Sequence, residues 1–235
     1  MQLFADTVVL VIGASSGMGR ETALLFHKEG ARVMAAARRE NRLKELAPYG
    51  ISIHTADATD AGAMEALAAA TIAKYGRIDI MIYATGANTP DRALDRLTPE
   101  IWNMMVNVNL NGAYYASRAV LPAMRKQKAG LIFYISSKSS LAPDESGASY
   151  QASKRGLAGL AGAVRLEEKQ NGIRTCIVCP GLTDTEILEK RLVKPSPETL
   201  AKALRAEDVA ELVVGIAKMP ARTWVPEVHL FPADL

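Results

Sequence analysis

Thr7-Val8-Val9-Leu10-Val11-Ile12-Gly13-Ala14-Ser15-Ser16-Gly17-Met18-Gly19 is the stretch on which the fold of this 235-residue chain turns. Thr7 to Ile12 is apolar and of strand length, far too short to cross a bilayer. Three glycines follow in the spacing G-x-x-x-G-x-G, and a helical pattern begins near residue 18. A strand, a glycine-rich turn and a helix in that order aim unpaired backbone N–H groups and the positive end of the helix dipole at one point, where a pyrophosphate is stabilised. Gly13 permits the tight turn, Gly17 the close approach of a phosphate, and Gly19 close packing of helix on strand. Ser15, Ser16 and Met18 complete this candidate cradle. The spacing is not the commoner G-x-G-x-x-G, so alone it also fits an ordinary glycine-rich turn.

Working outward, strand-length apolar runs at 7–12, 31–36, 51–55, 78–84, 130–135, 173–179 and 226–231 alternate with helical patterns near 18–29, 40–46, 60–75, 99–127, 150–170 and 207–218. The strands are apolar throughout, which predicts burial on both faces. The expected fold is therefore α/β: a single-domain Rossmann fold spanning 1–235, with a doubly wound parallel sheet of about seven strands and helices on both faces. Residues 183–206, with Pro195 and Pro197, show no strand character and read as a substrate-binding lid within that domain.

Composition narrows the partners. Hydrophobic residues make up 49% and charged residues 23%, and net charge is +3. Arg38-Arg39 and Arg125-Lys126 are isolated basic pairs, so no run tracks a nucleic acid backbone. The first segment lacks a basic leader and a cleavage site, so the expectation is a cytoplasmic protein with no membrane partner. Cys176 and Cys179 form a C-x-x-C on a strand, which places them on opposite faces about 10 Å apart, too far for a disulfide. His27, His54 and His229 are scattered without ligand spacing, and no metal is expected.

The second strand ends Val33-Met34-Ala35-Ala36-Ala37-Arg38-Arg39. An acid there would bind a ribose 2′-hydroxyl and repel a 2′-phosphate; this chain has a small residue and two guanidiniums, which suit the phosphate. The expected cofactor is NADP(H). Asp57, with Ala58 beside it, stands after the third strand, where it either accepts from an adenine amino group or caps a helix within Asp57-Ala58-Thr59-Asp60.

Tyr150 and Lys154 spell Y-x-x-x-K, and Ser137 lies 150 − 137 = 13 residues upstream. A second copy, Tyr134 to Lys138, sits in the apolar run Leu131-Ile132-Phe133-Tyr134-Ile135, a strand on which four residues span about 13 Å. Tyr150 opens a helical stretch, where residues four apart are about 6 Å apart on one face. Only that pair can cooperate. The Lys154 ammonium favours a Tyr150 phenolate, and Ser137 can hydrogen-bond a substrate oxygen near it. Together they make a site for hydride transfer at a carbon bearing oxygen.

Over about residues 1–231 the chain resembles the classical short-chain dehydrogenases/reductases. Their T-G-x-x-x-G-x-G matches Ile12 to Gly19, with Ile12 in place of threonine; their acid after the third strand matches Asp57. Their N-N-A-G falls on Tyr83-Ala84-Thr85-Gly86, which keeps only the glycine. Their catalytic asparagine matches Asn109, with Asn107 close enough to question the register, and their P-G-x-x-x-T matches Pro180-Gly181-Leu182-Thr183-Asp184-Thr185. The resemblance implies catalytic roles for Asn109, Ser137, Tyr150 and Lys154. It implies cofactor contacts from Ala84, Thr85 and Gly86, from Pro180, Gly181, Thr183 and Thr185, and from Tyr150 and Lys154 at the ribose. Asn109 would anchor a water relaying protons to Lys154. Loss of the side-chain amides at Tyr83-Ala84-Thr85 and of the hydroxyl at Ile12 reads as one compensated change in sheet support.

The chain's end, Ala206-Glu207-Asp208-Val209-Ala210 and Met219-Pro220-Ala221-Arg222 before a strand ending in Pro232, is similar to the serine and 3-hydroxy acid dehydrogenase branch. The implied activity is interconversion of a small secondary alcohol and a ketone, such as a hydroxy acid and a keto acid. A non-catalytic NADP(H) sensor is the alternative, but such relatives lose the tyrosine or the lysine. Gly156, Gly159 and Gly162 lie in the helix from Tyr150, each costing about 1 kcal/mol relative to alanine. Close backbone approach to a second copy would recover that cost, and the family resemblance points to a homo-oligomer, a dimer or more often a tetramer. Packing on the chain's own sheet is the alternative.

Overall fold

A computed structural model describes residues 3–190 and 193–234. The opening run becomes β1 (Val8–Ile12), and the glycine-rich turn feeds α1 (Gly17–Lys28). There follow β2 (Arg32–Ala37), α2 (Glu40–Lys44), β3 (Ser52–Thr55), α3 (Ala61–Tyr75) and β4 (Ile80–Tyr83). The second half adds α4 (Pro99–Val106), α5 (Gly112–Gln127), β5 (Gly130–Ile135), α6 (Ala148–Glu168) and β6 (Ile173–Pro180). Beyond these come β7 (Thr183–Asp184), α7 (Pro197–Lys202), β8 (Leu204–Arg205), α8 (Ala206–Ala217) and β9 (Glu227–Leu230). Among the described residues no helix is long and apolar enough to cross a membrane.

Seven strands form one parallel sheet in the order β3-β2-β1-β4-β5-β6-β9. The chain steps outward from β1 to one side and then returns to β4 on the other. That reversal opens a crevice at the strands' C-terminal ends, where such sheets take ligands. Alternation along each strand explains why the runs are apolar throughout. Leu10 and Ile12 join Met34, Met81 and the helices α3, α5 and α6 in one buried cluster; Val9 and Val11 join Phe26, Val209 and Val213 of α1 and α8 in another.

Two expectations are revised. Residues 183–206 do have strand character: Thr183 pairs with Leu204 and Asp184 with Arg205, so a two-residue ladder ties the segment's ends together. The helical pattern over 99–127 is also not one helix. Asn107–Asn111 form a π-turn between α4 and α5, with the Gly112 N–H bonded to the Asn107 carbonyl. The Val108 carbonyl accepts the Tyr83 hydroxyl at 2.6 Å. Tyr83 is fully buried, and a Cβ at Gly112 would stand 2.2 Å from its oxygen, so only glycine fits beside it. Ile12 and Tyr83 are register partners on β1 and β4, both buried, which makes the two departures from the family pattern direct neighbours.

The α6 glycines divide. Gly156 packs against Leu110, where a Cβ would come within 2.8 Å of Cδ2, while a Cβ at Gly159 or Gly162 would meet nothing beyond its own helix within 4 Å among the described residues.

Candidate active site

A cavity of about 1000 Å³ opens at the C-terminal ends of the strands, between the glycine-rich turn and the segment after β6. Every proposed site residue except Asn109 lines it.

Ser137 follows β5 and caps a 3-10 turn, Lys138–Ser140. Its Oγ accepts the Ser139 N–H at 3.2 Å and lies 3.1 Å from the Ser139 Oγ. The Ser139 hydroxyl donates to Asp144 Oδ2 at 2.6 Å. Having spent its one proton there, Ser139 can only accept from Ser137, so a carboxylate orients the Ser137 hydroxyl through one intermediary. Burial works against ionisation of Asp144, but bonds from Ser139 and Ser146 and the nearby Lys138 hold its carboxyl below the usual range.

Lys154 is 3% exposed on α6, one turn from Tyr150, with Nζ 5.7 Å from the Tyr150 ring centroid. Nζ donates to the Ile135 carbonyl at 2.9 Å, which fixes it at the end of β5. Burial lowers its pKa to about 8, with Cys179 nearby acting the other way. The decoy tyrosine behaves differently: Tyr134 is fully buried on β5, 2.6 Å from the Ser117 hydroxyl, and burial pushes its phenol above the ordinary value.

Of the two candidate asparagines, Asn109 is the one turned inward. It is fully buried, whereas Asn107 faces solvent and accepts from Asn111. Asn109 does not line the cavity. Its Oδ1 accepts from the Ala87 N–H at 2.8 Å, and its Nδ2 donates to the Ala87 carbonyl at 3.1 Å and to the Ser153 hydroxyl at 3.1 Å. The side chain thus clamps the loop after β4 to α6, and the π-turn aims it inward.

At the other end, Gly13 has φ +97, and a Cβ there would meet the Ala84 and Thr85 backbone at 2.7 Å. A Cβ at Gly19 would sit 2.4 Å from the Gly13 carbonyl, which is the close helix-on-strand packing expected of that glycine. Arg39 folds over the turn and donates to the Ser16 Oγ at 2.6 Å and the Ser15 Oγ at 3.0 Å. Ser16 is the N-cap residue of α1 but makes no capping bond there. Arg38 lies 3.8 Å from Asp57. Asp57 accepts from the Thr59 N–H and hydroxyl, while Asp60 caps α3, so the capping role belongs to Asp60.

This constellation agrees with what the chain matches. Residues 7–195 fit the short chain dehydrogenase family. The chain belongs to that family of oxidoreductases. This short-chain dehydrogenase is 32% identical over 239 residues to an uncharacterized oxidoreductase of Staphylococcus saprophyticus, covering 97% of each. It is 32% identical over 222 residues, 89% of each, to a 3-oxoacyl-acyl-carrier-protein reductase of Thermotoga maritima. A serine dehydrogenase solved with NADP+ superposes with TM-score 0.88 at 29% identity, over 95% of this chain and 94% of that one.

Three groups at the site escaped sequence reading. Ser139 and Asp144 look like ordinary loop residues without the geometry that joins them to Ser137. Glu186, just after β7, accepts from Arg39 at 2.8 Å and from Arg42 at 3.1 Å across more than 140 residues of chain. The Arg39 bond, first, and the Arg42 charge hold its carboxyl below the usual range.

Proposed function

We propose that this oxidoreductase is NADP(H)-dependent and interconverts a secondary alcohol and a ketone, with Tyr150 as acid and base. The observation that carries the reading is the shared cavity. Ser137, Tyr150 and a buried Lys154 face it from one end, and the glycine-rich turn with Arg38 and Arg39 closes the other. The residues present fit the cofactor. The turn offers backbone N–H groups where glycine leaves room for a diphosphate; Ser15, Ser16 and the two guanidiniums suit a 2′-phosphate. Asp57 suits the adenine amino group, Lys154 the nicotinamide ribose, and the Pro180–Thr185 backbone the carboxamide. Similar proteins solved with NADP+ or NADPH support the same cofactor.

When bound, the nicotinamide supplies or accepts the hydride. With its proton turned to Ser139, the Ser137 oxygen accepts from a substrate hydroxyl; rotating that proton away from Ser139 lets it donate to a substrate ketone oxygen. Tyr150 Oη gives up its proton in reduction and takes it back in oxidation. The Lys154 ammonium, cationic below about pH 8, stabilises the phenolate that results. Asn109 acts through the backbone it clamps. Arg92 and Lys138 line the substrate end and suit a small keto or hydroxy acid. Val193, Lys194 and Thr199 line the cavity, which supports the reading of the 183–206 segment as its lid. The uncovered Gly159 and Gly162 support a homo-oligomer built through α6 and α5, whose mass by light scattering is two or four times 25.2 kDa. The decisive experiment titrates NADPH and NADH separately, then screens ketones, 3-keto acids and hydroxy acids by nicotinamide absorbance. Equal affinity for the two cofactors overturns the assignment.

A further inference from the structure

Cys179 stands next to the end of β6, and its register partner on the edge strand β9 is His229. Two residues along a strand return to the same face, so Glu227 and His229 both point to the side that Cys179 occupies. One donor atom from each of the three lies within 4.8 Å of the other two. Glu227 and His229 are hydrogen-bonded to each other with side chains 40% and 44% exposed, and the thiol of Cys179 is buried beneath them. The histidine that looks isolated in sequence is therefore one of three different metal-binding side chains converging at the sheet's edge. Cys176 takes no part, because it lies on the opposite face.

We propose that Cys179, Glu227 and His229 bind one thiophilic divalent cation, with zinc as the representative ion. A thiolate and a carboxylate supply two negative charges to match it, and a neutral imidazole completes a three-donor set that leaves a fourth position for water. Bond lengths of about 2.0–2.3 Å in a tetrahedral site put donors about 3.3–3.7 Å apart. Donors at the 4.8 Å limit must close by about 1 Å, while the hydrogen-bonded Glu227 and His229 atoms must part, movements that the two exposed side chains supply by rotation. The other polar groups facing the thiol are the Ser140 hydroxyl at 3.4 Å, the Ser137 backbone and the Lys154 ammonium. None blocks the solvent side occupied by Glu227 and His229. The Cys179 thiol gives up its proton on ligating the ion.

The test is a calorimetric titration of the chelator-treated full chain with zinc, paired with cadmium as a spectroscopic probe of metal–sulfur bonding. One ion binds per chain, and cadmium gives an ultraviolet thiolate charge-transfer band. His229→Ala and Glu227→Gln, both at exposed positions that leave the fold intact, each weaken zinc binding about tenfold or more. Cys179→Ser removes the band, while Cys176→Ala keeps it. Absence of the band, or wild-type zinc affinity in both His229→Ala and Glu227→Gln, overturns the site and leaves an ordinary surface pair above a core thiol.

Discussion

Side chains at the proposed adenosine end of the cleft are about half in water: Arg39 and Glu186 are 45% and 46% exposed, and Arg38 is 66% exposed. At the catalytic end Lys154 is 3% exposed and Asn109 fully buried, each with its polar atoms bonded inside the protein. Exposed ion pairs are worth about 0–1 kcal/mol, whereas leaving a buried polar group unmatched costs about 1–3 kcal/mol. The first end can therefore change partners at little cost to the fold, and the second cannot. Cofactor preference should be easy to alter by mutation, and the proton-transfer geometry hard to alter without damage.

The sharpest way to break this contrast is Tyr150→Phe. Deleting the proton-carrying oxygen lowers turnover by about 10²- to 10⁴-fold while cofactor affinity, read by fluorescence titration, stays near wild type. Tyr134→Phe is its control and retains most activity, because Ser117 still donates to the Ala113 carbonyl. Equal loss in both variants would mean the strand tyrosine matters to the chemistry.

Arg39→Asp tests the adenosine end. It lowers NADPH affinity about ten- to a hundredfold and leaves NADH affinity nearly unchanged, since one charge-assisted contact is removed. Arg38→Asp moves preference in the same direction. An equal loss for both cofactors contradicts the 2′-phosphate reading.

Tyr83→Phe probes the buried end away from the chemistry. It removes the bond to the Val108 carbonyl of the π-turn and lowers unfolding free energy by about 0.5–1.5 kcal/mol in chemical denaturation. No loss of stability would show that the bond does not hold the turn.

The smallest effect belongs to Glu186→Gln. Its carboxylate engages Arg39, which is proposed to hold a 2′-phosphate, so neutralising it raises NADPH affinity about two- to fivefold and leaves NADH unchanged. A fall in NADPH affinity would mean that Glu186 organises this arginine for the phosphate.

The same contrast explains what could be read in the sequence. Both faces of β1, β4, β5 and β6 are covered, so their runs are apolar throughout and parallel strands follow from composition alone. Strand against helix separated Tyr134 from Tyr150, because periodicity sets the distance between residues four apart. The π-turn was hidden: it adds one residue to a helical period that stays apolar on both sides, and its bond to Tyr83 crosses 25 residues. Glu186 and Asp144 were hidden for the same reason, since an acid carries no local sign of the cation or hydroxyl it meets. The 183–206 ladder is two residues long, below any pattern that alternation can reveal.

That ladder also bears on how such an enzyme changes its diet. Pinning Thr183 beside Leu204 and Asp184 beside Arg205 ties the two ends of the segment together, as a clasp joins the ends of a bracelet. Closing a loop costs free energy that grows only with the logarithm of its length. With the lid role proposed for the segment, evolution can therefore lengthen or shorten it and acquire new molecules to act on while the sheet beneath is inherited.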